Sequence, residues 1–138
     1  MDREEIKNVI PHRDNMLLVD EVESIDGVAY GKYKVRDDEF FLKGHFPNNP
    51  IVPGVILCEI LAQSACVLLQ NAIGPGEIPV YTGLDQVRFR NVVKPGDLIE
   101  TRCEITRKKV PFYFAKGKAM VNGKVCVTAE FSFAVTKE

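Results

Sequence analysis

Hydrophobic and polar residues alternate in patterns that divide the chain into an N-terminal hairpin, one apolar helix and a series of strands. Asp2 and Glu5 have the spacing of a capping box, which predicts a short N-terminal helix. Two β-rich runs, 16–25 and 28–35, are separated by Asp26-Gly27, a two-residue hairpin signal. The N-terminal third therefore predicts a short helix followed by two antiparallel strands.

An apolar segment from Pro53 to about Asn71 predicts the principal helix. Proline favours the first helical turn, and Gly74-Pro75-Gly76 follows the end of the segment. Glu59 is the only charged residue between Pro53 and Glu77. A helix that is apolar on nearly every face either spans a membrane or lies enclosed in a core. Polar residues interrupt this segment and there is no second span, so we expect a core helix and no membrane contact.

Strand patterns follow the helix. The runs 80–89, 97–108, 112–121 and 124–136 are separated by turn signals. In the last run one face is apolar throughout: Val125, Val127, Ala129, Phe131, Phe133 and Val135. One antiparallel sheet curled around one apolar helix satisfies the whole pattern, which predicts an α+β hot-dog fold. A single copy would leave an edge strand uncovered, so we also expect side-by-side dimers.

Composition narrows the class of protein. The 138 residues suit one domain, 1–138, and a net charge of -1 provides no overall field to attract nucleic acid or an anionic membrane. The charged N-terminus lacks an apolar run, so we expect a cytoplasmic protein without a secretory signal. The four cysteines have no CxxC spacing and the two histidines are not paired, so we expect buried free thiols and neither a metal nor another cofactor.

The segment 44–54 is the strongest candidate for chemistry. Three prolines at a spacing of three residues stiffen it, so His45 is held on a rigid turn. A structural histidine in a stiff loop is the alternative interpretation. Gly54 stands at the predicted helix start, where unpaired N–H groups and the helix dipole could bind a developing oxyanion.

Glu59 lies about 7.5 Å further along the helix axis. A base at His45 and an acid at Glu59 would suit removal of a proton beside a thioester carbonyl with loss of a β-hydroxyl group. Apolar surroundings disfavour an ionised carboxyl group, which would help Glu59 to donate a proton. Alternatively, Glu59 is a buried acid satisfied by Gln63, four residues away on the same face, or by an arginine.

The chain resembles the FabZ-type (3R)-hydroxyacyl-acyl-carrier-protein dehydratases of fatty acid synthesis. The motifs that carry this resemblance are Gly44-His45-Phe46-Pro47, Pro50, Pro53-Gly54-Val55, Glu59, Ala62-Gln63, Ile10-Pro11-His12-Arg13, Leu17-Leu18-Val19-Asp20, Arg88-Phe89-Arg90 and Val93-Lys94-Pro95-Gly96-Asp97. The resemblance covers essentially the whole chain. It implies a hydro-lyase with a hot-dog fold, acting in bacterial fatty acid biosynthesis on substrates carried by an acidic acyl carrier protein, and homodimers that assemble into hexamers as trimers of dimers.

By matching position, the resemblance implies that His45 is the base at the α carbon and that Glu59 acts at the β-hydroxyl group. The Gly54 N–H would bind the thioester carbonyl. The histidine and the glutamate of one site would come from different subunits. Supporting roles fall to Gln63, Phe46, Pro53 and Val55.

Three positions depart from the family pattern, at Asn15, Asn48 and Ile60. None removes a proposed catalytic group, but Ile60 adds bulk where alanine is usual and so bears on the shape of an acyl tunnel. Glutamate at position 59 favours dehydration over the added isomerisation of related enzymes that usually have aspartate there.

Basic residues at or near strand ends are candidates for contact with the carrier protein: Arg88, Arg90, Lys94 and the run Arg107-Lys108-Lys109. A solvated surface is the alternative for each. Two other functions stay open on the residues alone. One is a hot-dog thioesterase or a hydratase acting on coenzyme A thioesters. The other is a non-catalytic domain that senses acyl thioesters, although such a domain has no reason to carry both His45 and Glu59.

Overall fold

Two helices and six strands are joined by short turns in the structure, a computed structural model that describes residues 1–138. The helices are α1 (Arg3–Ile6) and α2 (Gly54–Cys66); the strands are β1 (Glu21–Ile25), β2 (Val28–Lys34), β3 (Glu77–Phe89), β4 (Leu98–Lys109), β5 (Phe112–Val121) and β6 (Lys124–Lys137). The capping box at Asp2 and Glu5 is present and starts α1, as the spacing predicted.

The strands form one antiparallel sheet in the order β1-β2-β4-β5-β6-β3. The hairpin between β1 and β2 is confirmed, because Ile25 pairs with Val28 across a turn in which Asp26 and Gly27 both have positive φ. Although β3 precedes β4 in the chain, it lies beside β6 at the far edge of the sheet. The sheet thus ends in a thirteen-residue strand with one unpaired side.

Helix α2 packs against β2, β4, β5 and β6. Every residue of α2 from Ile60 to Cys66 is buried, and so are Leu57 and Cys58. The predicted inner face of β6 is confirmed from Val127 onward, with Val127, Ala129, Phe131, Phe133 and Val135 buried. It is wrong at Val125, which is half-buried while Cys126 is buried, because the pairing with β5 shifts register there. A sheet that covers one apolar helix confirms the predicted α+β hot-dog fold.

The predicted strand over 16–25 is wrong in its first part, because β1 begins only at Glu21. Leu17, Leu18 and Val19 are fully buried, yet they lie outside the sheet. The backbone N–H of Leu18 donates to the side-chain oxygen of Gln63 at 2.8 Å instead of to a neighbouring strand. A side chain of α2 therefore takes the hydrogen bond that a strand partner would have taken.

The predicted helix also ends earlier than residue 71. The α-helical hydrogen bonding of α2 stops at Cys66, and a 3₁₀ turn over Val67–Leu69 continues it, as is common at helix ends. No helix in the structure has both the length and the apolar character required to cross a membrane.

Candidate active site

His45 is fixed by the loop that leads into α2. Its backbone carbonyl accepts the N–H of Ile51 at 2.9 Å, and its Nδ1 lies 3.2 Å from the carbonyl oxygen of Ile51. A carbonyl oxygen only accepts, so this contact places a proton on Nδ1. The neutral ring then carries its lone pair on Nε2, which is the arrangement that a base requires. The Phe46 ring stacks on His45 at a centroid distance of 4.4 Å.

A cavity of about 510 Å³ opens beside His45. Its lining combines the loop, the start of α2 and the segment after β3: His45, Ile51, Val52, Pro53, Gly54, Val55, Leu57, Phe89, Arg90, Asn91 and Val92. The predicted residues His45, Pro53, Gly54 and Val55 therefore share one cavity. Phe46 is not part of the lining and contacts the site through its stacking on His45.

The start of α2 presents unpaired donors to this cavity. Pro53 precedes the helix without any side-chain cap. The N–H groups of Gly54 and Val55 donate to no backbone carbonyl, whereas the next two N–H groups, of Ile56 and Leu57, both donate to the Pro53 carbonyl. The Phe89 ring covers Gly54 so closely that a Cβ atom there would lie 2.6 Å from the ring. Unpaired donors at a helix start that borders a cavity can bind an oxygen atom of a ligand.

Glu59 does not line the cavity of its own chain. Its carboxylate oxygen Oε2 accepts a hydrogen bond from Gln63 Nε2 at 2.8 Å and lies 3.2 Å from His12 Nε2. The predicted contact between Glu59 and Gln63 is thus confirmed. The expectation of purely apolar surroundings is wrong for the carboxyl group itself, because two polar side chains meet it and its side chain is 21% exposed.

Gln63 connects this carboxyl group to the N-terminal segment. Its Nε2 also donates to the carbonyl of Met16 at 2.8 Å, while its Oε1 accepts the Leu18 N–H. The Gln63 side chain is 1% exposed, so these bonds form in the core. Every polar atom of the amide group has a protein partner, which fixes its orientation.

Sequence reasoning missed His12 as a neighbour of Glu59. Two signals in the sequence could have drawn attention to it: it is one of only two histidines, and it belongs to the motif Ile10-Pro11-His12-Arg13. A separation of 47 positions offers no periodic signal, however, and only the folded chain brings the two side chains together.

The four cysteines are free and buried, as predicted. Burial raises the pKa of Cys58, Cys66 and Cys126, and raises that of Cys103 to about 12. These thiols stay protonated near neutral pH and are poor nucleophiles. No group of three or more His, Cys, Asp or Glu side chains is placed to hold a metal ion.

Known proteins show the same pattern in sequence and in structure. The model of the FabA-like domain matches residues 10–130. The 3-hydroxyacyl-[acyl-carrier-protein] dehydratase FabZ of Halalkalibacterium halodurans is 42% identical over 135 residues, covering 96% of each chain. The enzyme of the same name from Petrotoga mobilis is 41% identical over 138 residues, covering 99% of each.

Solved structures support the fold. The chain in "The Dehydratase Heterocomplex ApeI:P from Xenorhabdus doucetiae" superposes with a TM-score of 0.83 at 18% identity, covering 96% of this chain and 91% of that one. A putative thioesterase from Ralstonia eutropha JMP134 superposes with a TM-score of 0.66 at 20% identity, covering 83% of both. The fold is thus shared by dehydratases and thioesterases. The sequence match, and not the fold, therefore decides which of these families this chain belongs to. The chain belongs to the FabA-like family, where its relatives at about 40% identity are FabZ-type dehydratases.

Proposed function

We propose that the protein is a hydro-lyase that removes water from (3R)-3-hydroxyacyl thioesters carried on an acyl carrier protein, giving trans-2-enoyl thioesters in fatty acid biosynthesis. Relatives named for this activity match nearly the whole chain at about 40% identity. The observation that carries the proposal is the cavity in which His45 Nε2 is free beside the unpaired N–H groups of Gly54 and Val55.

His45 is the proposed base. Its Nε2 takes the proton from the α carbon while the thioester carbonyl accepts the Gly54 N–H, which stabilises the negative charge that develops on that oxygen. The electrons of the C–H bond form the double bond between the α and β carbons, and the bond from the β carbon to its hydroxyl oxygen breaks. Glu59 supplies a proton to this oxygen, directly or through a water molecule, and the protonated hydroxyl group leaves as the product water. Pro53 and Val55 shape the cavity wall, and Phe46 holds the ring of His45.

The acid in each site is proposed to be Glu59 of a second subunit. Glu59 does not reach the cavity that contains His45 of its own chain. Strand β3 is an unpaired edge that exposes the apolar side chains of Val80 and Leu84, so pairing with β3 of a second copy would satisfy its backbone and cover both. Such a homodimer would bring His45 of each chain close to Glu59 of the other. Assembly of three dimers into a hexamer is expected from the family resemblance.

Arg90 is the basic residue best placed to meet the carrier protein, because it lines the cavity that contains His45. Arg88 and Lys94 are exposed nearby in sequence, and none of the three forms an ion pair within this chain. Arg107 lies opposite Phe114 of β5, which lies opposite Ser132 of β6, and Ser132 in turn lies opposite Gly83 of β3. Gly83 is five residues, or about 16 Å, along β3 from Arg88. We therefore propose Arg88, Arg90 and Lys94, and not the run 107–109, as the docking patch of this chain. Added salt should slow turnover of a carrier-linked substrate more than that of a small thioester, and equal sensitivity would exclude the patch.

The decisive experiment follows dehydration of a 3-hydroxyacyl-carrier-protein substrate by the parent protein and by His45→Ala and Glu59→Gln. Each substitution should lower kcat by about 10²–10⁴-fold, because each removes a proton-transfer group. Glu23→Gln, at an exposed position, is the matched control and should keep parental turnover. Full activity of His45→Ala would refute the mechanism.

Mixed dimers test the shared site. A dimer that combines one His45→Ala chain with one Glu59→Gln chain retains one intact pair if the two residues act across subunits. Each mixed dimer should then have up to half the parental activity, and an equimolar mixture, in which about half of the dimers are mixed, should recover up to about a quarter. Absence of recovery, with subunit exchange proven by differently tagged chains, would place both residues in one chain.

A further inference from the structure

His12 is the second polar neighbour of the Glu59 carboxyl group. Its Nε2 lies 3.2 Å from Oε2, the oxygen that also accepts the hydrogen bond from Gln63. Oε1 of Glu59 has no side-chain partner in this chain. The two contacts thus hold one oxygen of the carboxyl group and leave the other available.

The segment that carries His12 is fastened at several points. The Arg13 guanidinium donates to the carbonyl oxygens of Lys7, Ile10 and His12 at 2.9, 2.8 and 2.7 Å. Pro11 restricts the backbone immediately before His12. Further along the segment, Gln63 binds the backbone at Met16 and Leu18. Because Gln63 belongs to α2, the same side chain fixes the His12 segment against the helix that carries Glu59.

The other ring nitrogen of His12 gives no stabilising contact. Nδ1 is buried and has no hydrogen-bond partner. A buried polar atom without a partner destabilises a fold, so a histidine that served packing alone would be replaced here by an apolar side chain at no loss. The single polar contact that the ring makes is the one with Glu59.

We propose that His12 is a positioning residue for Glu59. The polar contact of Nε2 with Oε2, together with the hydrogen bond from Gln63, fixes the rotamer of Glu59 so that Oε1 faces the β-hydroxyl group of the substrate. His12 itself contacts no reacting atom. This proposal rests on the role proposed for Glu59 above.

Steady-state kinetics test the proposal with four variants: His12→Leu, His12→Gln, Glu59→Gln and the double variant of His12→Leu with Glu59→Gln. His12→Leu removes the donor and should lower kcat roughly tenfold to a hundredfold with little change in KM, because a misplaced acid slows the chemical step. His12→Gln keeps an N–H donor at a similar reach and should recover most of the lost kcat. The melting temperature of His12→Leu should be unchanged or higher, because the unpaired buried nitrogen is gone.

A double-mutant cycle separates positioning from a structural role. In the Glu59→Gln background, His12→Leu should cause no further loss of kcat, since the group that it orients is already absent. The same fold-loss in both backgrounds, or parental kcat in His12→Leu, would overturn the proposal. If His12→Leu does not fold, His12→Ala takes its place in the cycle, and parental kcat in the folded His12→Ala variant overturns the proposal.

The cycle also distinguishes the two proposals. Parental kcat in Glu59→Gln alone contradicts the proposed function of Glu59. An impaired Glu59→Gln with an unaffected His12→Leu contradicts only the positioning role of His12.

Discussion

The two polar regions of α2 use their hydrogen-bonding groups in opposite ways. At its first turn, the N–H groups of Gly54 and Val55 have no backbone acceptor and border a cavity of about 510 Å³. More than two turns later, Gln63 makes three hydrogen bonds within the chain and one of them holds Glu59. The N–H groups of the first region are free to bind a ligand, whereas the hydrogen-bonding groups of Gln63 already have partners within the protein. A helix can thus supply open binding groups at its end and a fixed side chain further along.

The largest effect should come from closing the open region. Gly54→Ala places a Cβ atom 2.6–3.0 Å from three atoms of the Phe89 ring, so the ring beside the cavity must shift. We expect kcat/KM for the hydroxyacyl substrate to fall about 10²-fold, as when an oxyanion donor is lost. Phe89→Leu alone is the control. The double variant Gly54→Ala with Phe89→Leu should regain much of the lost kcat/KM because the crowded ring is gone. Parental kcat/KM in Gly54→Ala alone would contradict the role of this region.

Breaking the satisfied region should cost stability as well as activity. Gln63→Leu leaves the buried N–H of Leu18 and the carbonyl of Met16 without their partners. Each unsatisfied group costs about 1–3 kcal/mol, so urea unfolding should show a loss of about 2–6 kcal/mol. Gln70→Leu, at an exposed position beyond the helix, is the matched control and should change stability by less than about 0.5 kcal/mol. Equal effects of the two substitutions would mean that the Gln63 network contributes nothing.

The smallest effect concerns the buried face of α2 between these regions. Cys103 Sγ lies 3.4 Å from the carbonyl oxygen of Leu61, and burial raises the pKa of this thiol from 9.0 to about 12. Above pH 9 the unfolded chain loses this proton and the folded chain keeps it, so the free energy of unfolding falls as the pH rises. Cys103→Ser should remove that slope.

The measurement is urea unfolding of the parent and of Cys103→Ser from pH 7 to pH 11. Below pH 9 the stability difference between the two proteins should stay constant, because the thiol is protonated in both states. Above pH 9 the difference should shift in favour of the serine variant. Parallel curves over the whole range would show that the helix face is hydrated at Cys103.

Local signals were sufficient for much of the fold. Asp26-Gly27 predicted the first hairpin because both residues accept positive φ, and the alternation in β6 predicted its buried face. The contact between Gln63 and Glu59 followed from a spacing of four residues on one helical face. Such features depend on neighbours in sequence.

Long-range competition explains the errors. The run 16–25 has the residue preferences of a strand, yet Leu18 gives its N–H to Gln63, 45 positions away, so the strand starts later. The apolar setting expected for Glu59 was inferred from its helical neighbours alone. His12 and Gln63 in fact meet its carboxyl group.

By itself, the sequence determined the order of helices and strands, the rigid turn at His45, the glycine at the start of α2 and the acid on the same helix, because periodicity, turn chemistry and side-chain type are properties of adjacent residues. Only the tertiary structure decided that His45 Nε2 is free, that Glu59 lies outside the cavity of its own chain and that His12 lies against it. These outcomes depend on which distant groups compete for each hydrogen bond once the sheet closes around α2, and no local pattern records that competition.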